Sequence, residues 1–184
     1  LRATLEELHS RHLVLIDNLA RTQNMHATAE VMNISQPAVS KMLREIENQL
    51  GFALFQRLPR SMSPTDLGSH VARYAQIALN DAEHFVGQVN HLRQGGHGLL
   101  KIGTIFAPTS VALPAAIVGV KQRWPLLTLD ILEGTSANLL TMLEHKQLDL
   151  VIARFTLDSH RKLFDFQPLA PEPLCLVTGS QHPL

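Results

Sequence analysis

The sequence predicts a chain of class α followed by α/β: a winged helix-turn-helix, a long linker helix, then part of an α/β domain. Three observations support this prediction. Two short amphipathic helical patterns meet at a tight turn near Asn33. Apolar residues then recur in steps of three and four from Leu67 to Leu92, which indicates one long helix. From Leu99 onward, strand-like apolar runs alternate with helical patterns, as in a parallel sheet covered by helices.

Composition narrows the class of protein. Of the 184 residues, 45% are hydrophobic, so the chain can bury real cores. The formal net charge is zero, which argues against a protein that is basic over its whole surface. It does not exclude a local basic face. The single Cys175 cannot form an intrachain disulfide, which fits a reducing cytoplasm. No apolar run approaches the roughly 20 residues of a membrane helix, so we expect no membrane contact.

The first helix is predicted to end near Thr22, and the second to run from His26 to Met32. The third helix begins after Ser35, a good N-cap, with Pro37 in its first turn, and ends at Gly51. One side is apolar through Val39, Leu43, Ile46 and Leu50.

The opposite side of the third helix, here called the reading face, carries Gln36, Ser40, Lys41 and Arg44. These side chains can hydrogen-bond to base edges in a DNA major groove. Taken alone, the helix could equally be a solvated amphipathic helix.

Residues 52–63 predict a small β-hairpin, or wing, anchored by Leu54 and Phe55. Arg57 and Arg60 lie near its tip, where they would face the DNA backbone or the minor groove. Two solvated loop arginines are the alternative interpretation. Together with the reading face, the arginines favour a shared basic rim, so the candidate DNA-binding residues are Ser35, Gln36, Pro37, Ser40, Lys41, Arg44, Arg57 and Arg60.

The long helix begins after the N-cap Thr65 and is predicted to continue to about Arg93. Its apolar stripe consists of Leu67, Val71, Tyr74, Ala78, Phe85, Val89 and Leu92. Such a heptad-like seam needs a partner surface, and we expect a second copy of the helix to supply it. Packing against its own domain is the alternative. The glycine-rich residues 94–98 are predicted to form a flexible hinge.

The α/β part is predicted to have strands at Leu99–Thr104, Thr128–Glu133 and Leu148–Ala153, with helices at Pro108–Arg123 and Ser136–Lys146. Phe164–Leu169 and Pro173–Val177 are candidates for further strands, the latter with Cys175 as a small core residue.

Ligands of such sheets bind where the parallel strands end. Residues Thr104 to Thr109, Thr135 with Ser136, and Arg154 occupy those positions, and together they could hold a small anion. Taken one by one, the hydroxyls could be helix caps and the arginine a surface ion-pair partner.

Other classes of protein find little support. The ten histidines lack the spacing of zinc ligands, so we expect no metal site. No nucleophile elbow, phosphate-binding loop or catalytic carboxylate pair appears in the sequence. We therefore expect that the protein is not an enzyme and has no catalytic residue and no cofactor. A solute-binding module without DNA activity would account for Leu99 onward but not for the helix-turn-helix.

Residues 11–68 resemble the winged helix-turn-helix of the LysR-type transcriptional regulators. The motifs that carry this resemblance are Ala29-Glu30, Ser35 to Lys41, Leu43 to Glu47, Leu50-Gly51, Leu54-Phe55, Arg57, Thr65 and Gly68. The C-terminal half resembles the effector-binding half of the same family through Ile102-Gly103, Leu113-Pro114, Trp124-Pro125, Glu133-Gly134, Leu148 to Leu150 and His182 to Leu184.

The resemblance implies three regions: a DNA-binding domain (residues 1–64), a linker or dimerisation helix with a hinge (65–97), and the first subdomain of a periplasmic-binding-protein-like effector domain (98–184). It implies a cytoplasmic regulator that binds double-stranded DNA as a homodimer, and as a tetramer when full-length. Its effector would be a small-molecule inducer from aromatic-acid or sugar catabolism. By match, Ala107, Pro108, Thr109, Thr135, Ser136 and Arg154 fall on inducer-cleft positions. Half of that cleft would lie beyond this sequence, so we expect residues 1–184 to bind inducer poorly.

Overall fold

A computed structural model describes residues 9–58, 61–106, 112–154 and 163–169. Its N-terminal part is built from three helices, α1 (Ser10–Thr22), α2 (Met25–Val31) and α3 (Gln36–Leu50). One apolar core joins these helices to the wing and to the helix that follows it. The buried residues of this core are Leu15, Ile16, Leu19, Ala29, Val39, Leu43, Ile46, Leu54, Phe55, Met62, Ala72 and Ala75.

Short polar side chains set the bounds of α2 and α3. The carboxamide oxygen of Asn24 accepts hydrogen bonds from the backbone N–H groups of His26 (2.8 Å) and Ala27 (3.1 Å), which caps α2. Asn33 adopts a left-handed φ of 52° in the turn between α2 and α3. Ser35 then caps α3, and Gly51, at φ 80°, ends it. The predicted start and end of this third helix are therefore confirmed.

The wing is an antiparallel pair of short strands, β1 (Phe55–Arg57) and β2 (Met62–Pro64). One carboxylate oxygen of Glu47, near the end of α3, accepts hydrogen bonds from the N–H groups of Leu54 (2.7 Å) and Phe55 (3.2 Å). This contact fixes the wing to the end of the helix that carries the reading face.

Helix α4 (Asp66–Arg93) begins at the predicted N-cap, where the hydroxyl of Thr65 accepts from the N–H of Gly68. Its first third packs against α1 and contains the buried residues Gly68, Ala72 and Ala75. Part of this long helix therefore does bury a face within its own chain. Val71, assigned above to the apolar stripe, is half-buried and packs against the same core.

The α/β part contains strands β3 (Leu99–Thr104), β4 (Thr128–Glu133) and β5 (Leu150–Ile152) and helices α5 (Ala112–Arg123) and α6 (Ser136–Glu144). The three strands form a parallel sheet in the order β4-β3-β5. The bounds predicted for β3 and β4 are confirmed. Close packing on the central strand needs a glycine, since a Cβ on Gly103 would approach side-chain atoms of Leu148 and Leu139 within 2.7 and 2.8 Å.

Several expectations differ from the structure, and one of them is the end of α6, which is Glu144 and not Lys146. The third strand is shorter than predicted, and Leu148 is a buried residue ahead of it. Residues 94–98 are not a free hinge, because the Gly96 N–H donates to His91 O and the His97 N–H donates to Leu126 O. Residues 163–169, within a second compact unit (Phe155–Leu184), contain no strand, and Phe166 and Leu169 remain exposed there.

The other candidate strand, Pro173–Val177, and the predicted start of α5 lie outside the described residues. Among the residues that the structure describes, no helix is long and apolar enough to cross a membrane.

Candidate nucleic-acid interface

The reading face lies on the solvent side of α3. Gln36, Lys41 and Arg44 are exposed and Ser40 is half-exposed. The opposite side of α3 is held in the core by Val39, Leu43 and Ile46, with exposures of 0%, 2% and 0%. The reading face is therefore presented by a helix that cannot rotate without exposing its apolar side. Two further candidates stand at its start: the Ser35 hydroxyl accepts from the Ala38 N–H (3.4 Å), and Pro37 is exposed in the first turn.

The charges on this surface are accessible. Lys41 Nζ lies 3.8 Å from Glu45 Oε1, and their side chains are 80% and 53% exposed. Such an exposed pair contributes little to stability, so it holds the Lys41 ammonium group only weakly. Arg57 is exposed on β1, and Gln56 beside it donates to Ser63 Oγ (2.9 Å) across the hairpin. Arg60 lies outside the described residues.

A shallow concavity of about 670 Å³ adjoins the start of α3. It is lined by His26, Ala29, Glu30, Asn33, Ile34, Ser35 and Gln36. His26 and Glu30 were not among the sequence candidates, although His26 stands just after the N-cap of α2. Their side chains form an exposed pair, with Nδ1 and Oε1 3.5 Å apart. Two exposed polar side chains of α2 therefore lie beside the start of the reading face.

A second candidate surface lies where β3, β4 and β5 end, here called the effector edge. Because the strands are parallel, Thr104, Thr135, Ser136 and Arg154 come to the same side of the sheet. The Thr135 hydroxyl caps α6 by accepting from the Asn138 N–H (3.4 Å). The Ser136 hydroxyl accepts from the Arg154 N–H (3.2 Å), which brings the second and third predicted positions together.

The prediction that Thr104 contacts an effector does not agree with its position in the structure. Its side chain is fully buried, and its hydroxyl donates to Ile105 O (3.0 Å). It therefore packs within the sheet and presents no free group to a ligand. Ala107, Pro108 and Thr109 lie outside the described residues. The effector edge thus retains Thr135, which is exposed, Ser136 and the exposed Arg154.

The apolar stripe of α4 is open to solvent in the single chain. Leu67, Tyr74, Phe85, Val89 and Leu92 are all exposed, up to 68% for Phe85, whereas Ala78 is half-buried like Val71. Val86, which is not part of the predicted apolar stripe, is also exposed. Within the described part of the chain, no group of three or more histidine, cysteine or acidic side chains is arranged to hold a metal ion.

These features define the class: a winged helix-turn-helix joined by a long helix to a parallel α/β domain. The chain belongs to the LysR family. Residues 10–69 match the family "Bacterial regulatory helix-turn-helix protein, lysR family", and residues 93–184 match "LysR substrate binding domain".

Curated relatives agree with this assignment. The chain is 32% identical to the HTH-type transcriptional regulator GbpR of Azospirillum brasilense over 177 residues, 96% of this chain and 52% of that protein. It is 29% identical to the malonate utilization transcriptional regulator of Klebsiella pneumoniae over 180 residues, 97% of this chain and 58% of that protein. The chain thus spans about half the length of these relatives.

Solved structures support the fold. A crystal structure of full-length CbnR complexed with its target DNA superposes with a TM-score of 0.61 at 21% identity, covering 77% of this chain and 48% of that one. The oxidized form of Corynebacterium glutamicum OxyR gives a TM-score of 0.50 at 26% identity, covering 78% of this chain and 44% of that one.

Proposed function

We propose that the protein is a sequence-specific DNA-binding transcriptional regulator that acts as a homo-oligomer and responds to a small anionic effector. The observation that carries this proposal is the reading face, whose four polar side chains stand on a helix anchored by three buried apolar residues. A rigid helix of this kind can enter a major groove, where Gln pairs with adenine and Arg or Lys with guanine. Arg57 on the wing would contact the DNA backbone.

Two copies are needed for a specific operator, because one such helix makes few base contacts. The exposed apolar stripe of α4 supports pairing with a second α4, which would hold two reading faces at a fixed separation. The proposal therefore includes a homodimer, and a tetramer for the full-length protein. Because the proposed function requires access to cellular DNA, the proposal includes a location in the cytoplasm.

The effector edge supports an anionic effector. The start of α6, the Thr135 and Ser136 hydroxyls and residue Arg154 come together at one end of the sheet, and residues of these types suit a carboxylate. A relative named for malonate utilization is consistent with a small carboxylate. We extend the proposal to an effector from aromatic-acid or sugar catabolism, with no other cofactor.

A solute-binding module without DNA activity is the alternative. The α/β part alone would suit it, but the anchored reading face and the wing would then have no role. DNA binding by the purified protein separates the two functions.

The test is selection of DNA ligands from a random library, followed by affinity measurements on the selected sequence and its single-base variants. Arg44→Ala should cost about 1–3 kcal/mol and relax the preference at one base pair, whereas Arg57→Ala should weaken all sequences alike. Arg93→Ala, at the far end of α4, removes the same charge and should change neither. If Arg44→Ala leaves both affinity and preference unchanged, the reading face is not the DNA contact.

A further inference from the structure

Helix α4 presents three different faces. Successive residues turn by roughly 100° around a helix, so the buried Gly68, Ala72 and Ala75 share one face and the apolar stripe occupies a second. A third face carries polar side chains separated by steps of seven, four, four and three. These residues, here called the polar strip, are Arg73, Asn80, His84, Gln88 and His91.

Every residue of the polar strip contacts the α/β part of the same chain. Arg73 pairs with Glu144, and the Asn80 side chain donates to His145 O (2.7 Å). His84 Nε2 lies 3.2 Å from Asp149 Oδ1. The ring of His91 faces the Thr128 hydroxyl at 3.4 Å.

The most specific contact is made by Gln88. Its side-chain oxygen accepts from the Leu99 N–H (2.9 Å), and its side-chain nitrogen donates to Leu99 O (2.6 Å). The amide thus satisfies both main-chain groups of the first residue of β3, as a neighbouring strand would. Gly98 lies against the same side chain, because a Cβ there would come within 2.8 Å of Gln88 Oε1.

The contact between the polar strip and the α/β part is of a kind that can open. All buried residues of α4 lie in its first third, up to Ala75. Beyond that point the hydrogen bonds and ion pairs to the α/β part come from side chains that keep some solvent exposure, such as His84 and Asp149 at 24% and 29%. Relative motion between two parts of one chain is expected unless their interface is large and hydrophobic.

The partners of the polar strip stand at the opposite end of the α/β part from the effector edge. Leu99 and Thr128 begin β3 and β4, and Glu144 and His145 end α6. Helix α6 begins at the effector edge with Ser136 and ends at the contact with Arg73 and Asn80. A single rigid helix therefore joins the two places.

We propose that the polar strip of α4 is a releasable latch that sets the angle between the DNA-reading part and the α/β part, and through that angle the geometry of bound DNA. The latch itself is independent of the proposed function, whereas its effect on the geometry of bound DNA rests on that function. When the latch is closed, the angle is fixed by the five side chains of the strip. When it opens, α4 keeps its hold on α1 and the α/β part moves.

Two variants open the latch and one matched variant does not touch it. Asn80→Leu and Gln88→Leu remove the polar contacts with little change in side-chain size. Asn90→Leu makes the same exchange as Asn80→Leu on an exposed position of the same helix, outside the strip. The change in helix propensity is the same for both asparagine variants, so it cancels in the comparison.

The first measurement needs neither DNA nor effector. Spin labels at Asn48→Cys on α3 and Ala137→Cys on α6, in a Cys175→Ser background, report the distance between the two parts by pulsed electron paramagnetic resonance. An excess of unlabelled protein ensures that each labelled pair reports on one chain. We expect one narrow distance in the parent and in Asn90→Leu, and a broadened or shifted one in Asn80→Leu and Gln88→Leu. Unchanged distances in both latch variants, or a broad distance in the parent, overturn the latch.

The second measurement tests the consequence for DNA. In a gel-shift series with the selected site placed at different positions along a fragment, the bend should differ between Asn80→Leu and the parent, while Asn90→Leu matches the parent. Equal bends in all three proteins overturn the link from the latch to DNA geometry. If the parent binds no selected DNA, the proposed function fails, and the distance measurement still decides whether the latch exists.

Discussion

Gly68 stands where α4 passes directly over the main chain of Leu54. A Cβ at this position would lie 1.8 Å from the carbonyl oxygen of Leu54, and backbone cannot move aside as a flexible side chain can. The same carbonyl accepts the Thr65 N–H (2.9 Å), so the close approach also forms the entry to α4. Only glycine permits this junction between the wing and the long helix.

We predict that Gly68→Ala lowers the free energy of unfolding by about 1–3 kcal/mol or more, because the added methyl group overpacks the junction. Gly119→Ala is the matched control. It lies on the exposed side of α5 with no atom within 4 Å of its Cβ position, so it should stabilise the protein by about 0.5–1 kcal/mol. Urea denaturation of both variants measures the difference, and a Gly68→Ala protein as stable as the parent contradicts the proposed contact.

Among the residues that the structure describes, His12 is one whose protonation the fold opposes. Partial burial lowers the pKa of its imidazole below the ordinary 6.5, and the nearby His9 adds to this, whereas Glu45 acts in the opposite sense. The His9 N–H also donates to His12 Nδ1 (3.4 Å) at the start of α1, a bond that requires the neutral ring. The folded state therefore binds a proton at His12 less readily than the unfolded state does.

The sign of the pH effect follows from this difference. As pH falls below 6.5, the unfolded state takes up the proton first, so the stability that His12 contributes is present above 6.5 and is lost as pH falls toward its folded pKa. We predict that His12→Gln loses less stability than the parent between pH 7.5 and pH 5. Urea denaturation at several pH values measures both curves, and parallel curves would exclude His12 as a contributor.

At the scale of elements, Glu47 determines how the wing is attached to α3. Its carboxylate is the acceptor for two N–H groups, those of the buried Leu54 and Phe55. We predict that Glu47→Ala lowers the free energy of unfolding by about 1–3 kcal/mol, the cost of leaving buried donors unsatisfied. Glu47→Gln keeps an acceptor oxygen and should cost less.

The control for Glu47 is Glu45→Ala on the same helix. Glu45 forms an exposed ion pair with Lys41 and accepts no hydrogen bond from the wing among the described contacts, and such surface pairs contribute about 0–1 kcal/mol. Hydrogen exchange of the Leu54 and Phe55 amides gives a local reading, since both should exchange faster in Glu47→Ala than in Glu45→Ala. Equal exchange in the two variants would show that Glu47 does not hold the wing.

The elements that could be predicted from the sequence are those whose ends depend on local chemistry. Ser35, Pro37 and Gly51 bound α3 by capping, a fixed φ and a left-handed φ, all of which act within one turn of the chain. The strands β3 and β4 follow from apolar runs. The strand predicted from the apolar run Leu148–Ala153 was too long. Leu148 is buried by packing, and only Leu150–Ile152 pairs with β3.

The parts that could not be predicted depend on contacts between distant residues. Asn80 and Gln88 look like solvated helix positions, and only the fold brings them to His145 and Leu99. The burial of Thr104 is of the same kind, since a threonine at a strand end suits a ligand contact as well as it suits a packed sheet. Most of the reading face was predictable, because its exposure follows from the period of α3 alone.

At the scale of the whole molecule, α4 connects three surfaces. Its first third is fixed to the helix-turn-helix, its polar strip meets the α/β part, and its apolar stripe faces solvent. Exposed side chains as large as Phe85 and Leu92 are uncommon in such a row on a monomer and indicate a protein interface. A second copy pairing there would leave the polar strip free to act within each chain, because the two faces are separate.

We predict that Phe85→Glu weakens self-association about tenfold or more, because it places a charge in the apolar stripe and removes its most exposed aromatic side chain. Asn90→Glu adds the same charge to an exposed position of α4 outside the stripe and should associate as the parent does. Sedimentation equilibrium over a range of concentrations measures both. Phe85→Glu should also lose affinity for DNA carrying two half-sites, while its preference within one half-site is retained. A parent protein that stays monomeric throughout, or a Phe85→Glu variant that associates as strongly as Asn90→Glu, would remove the stripe as the surface that pairs two reading faces.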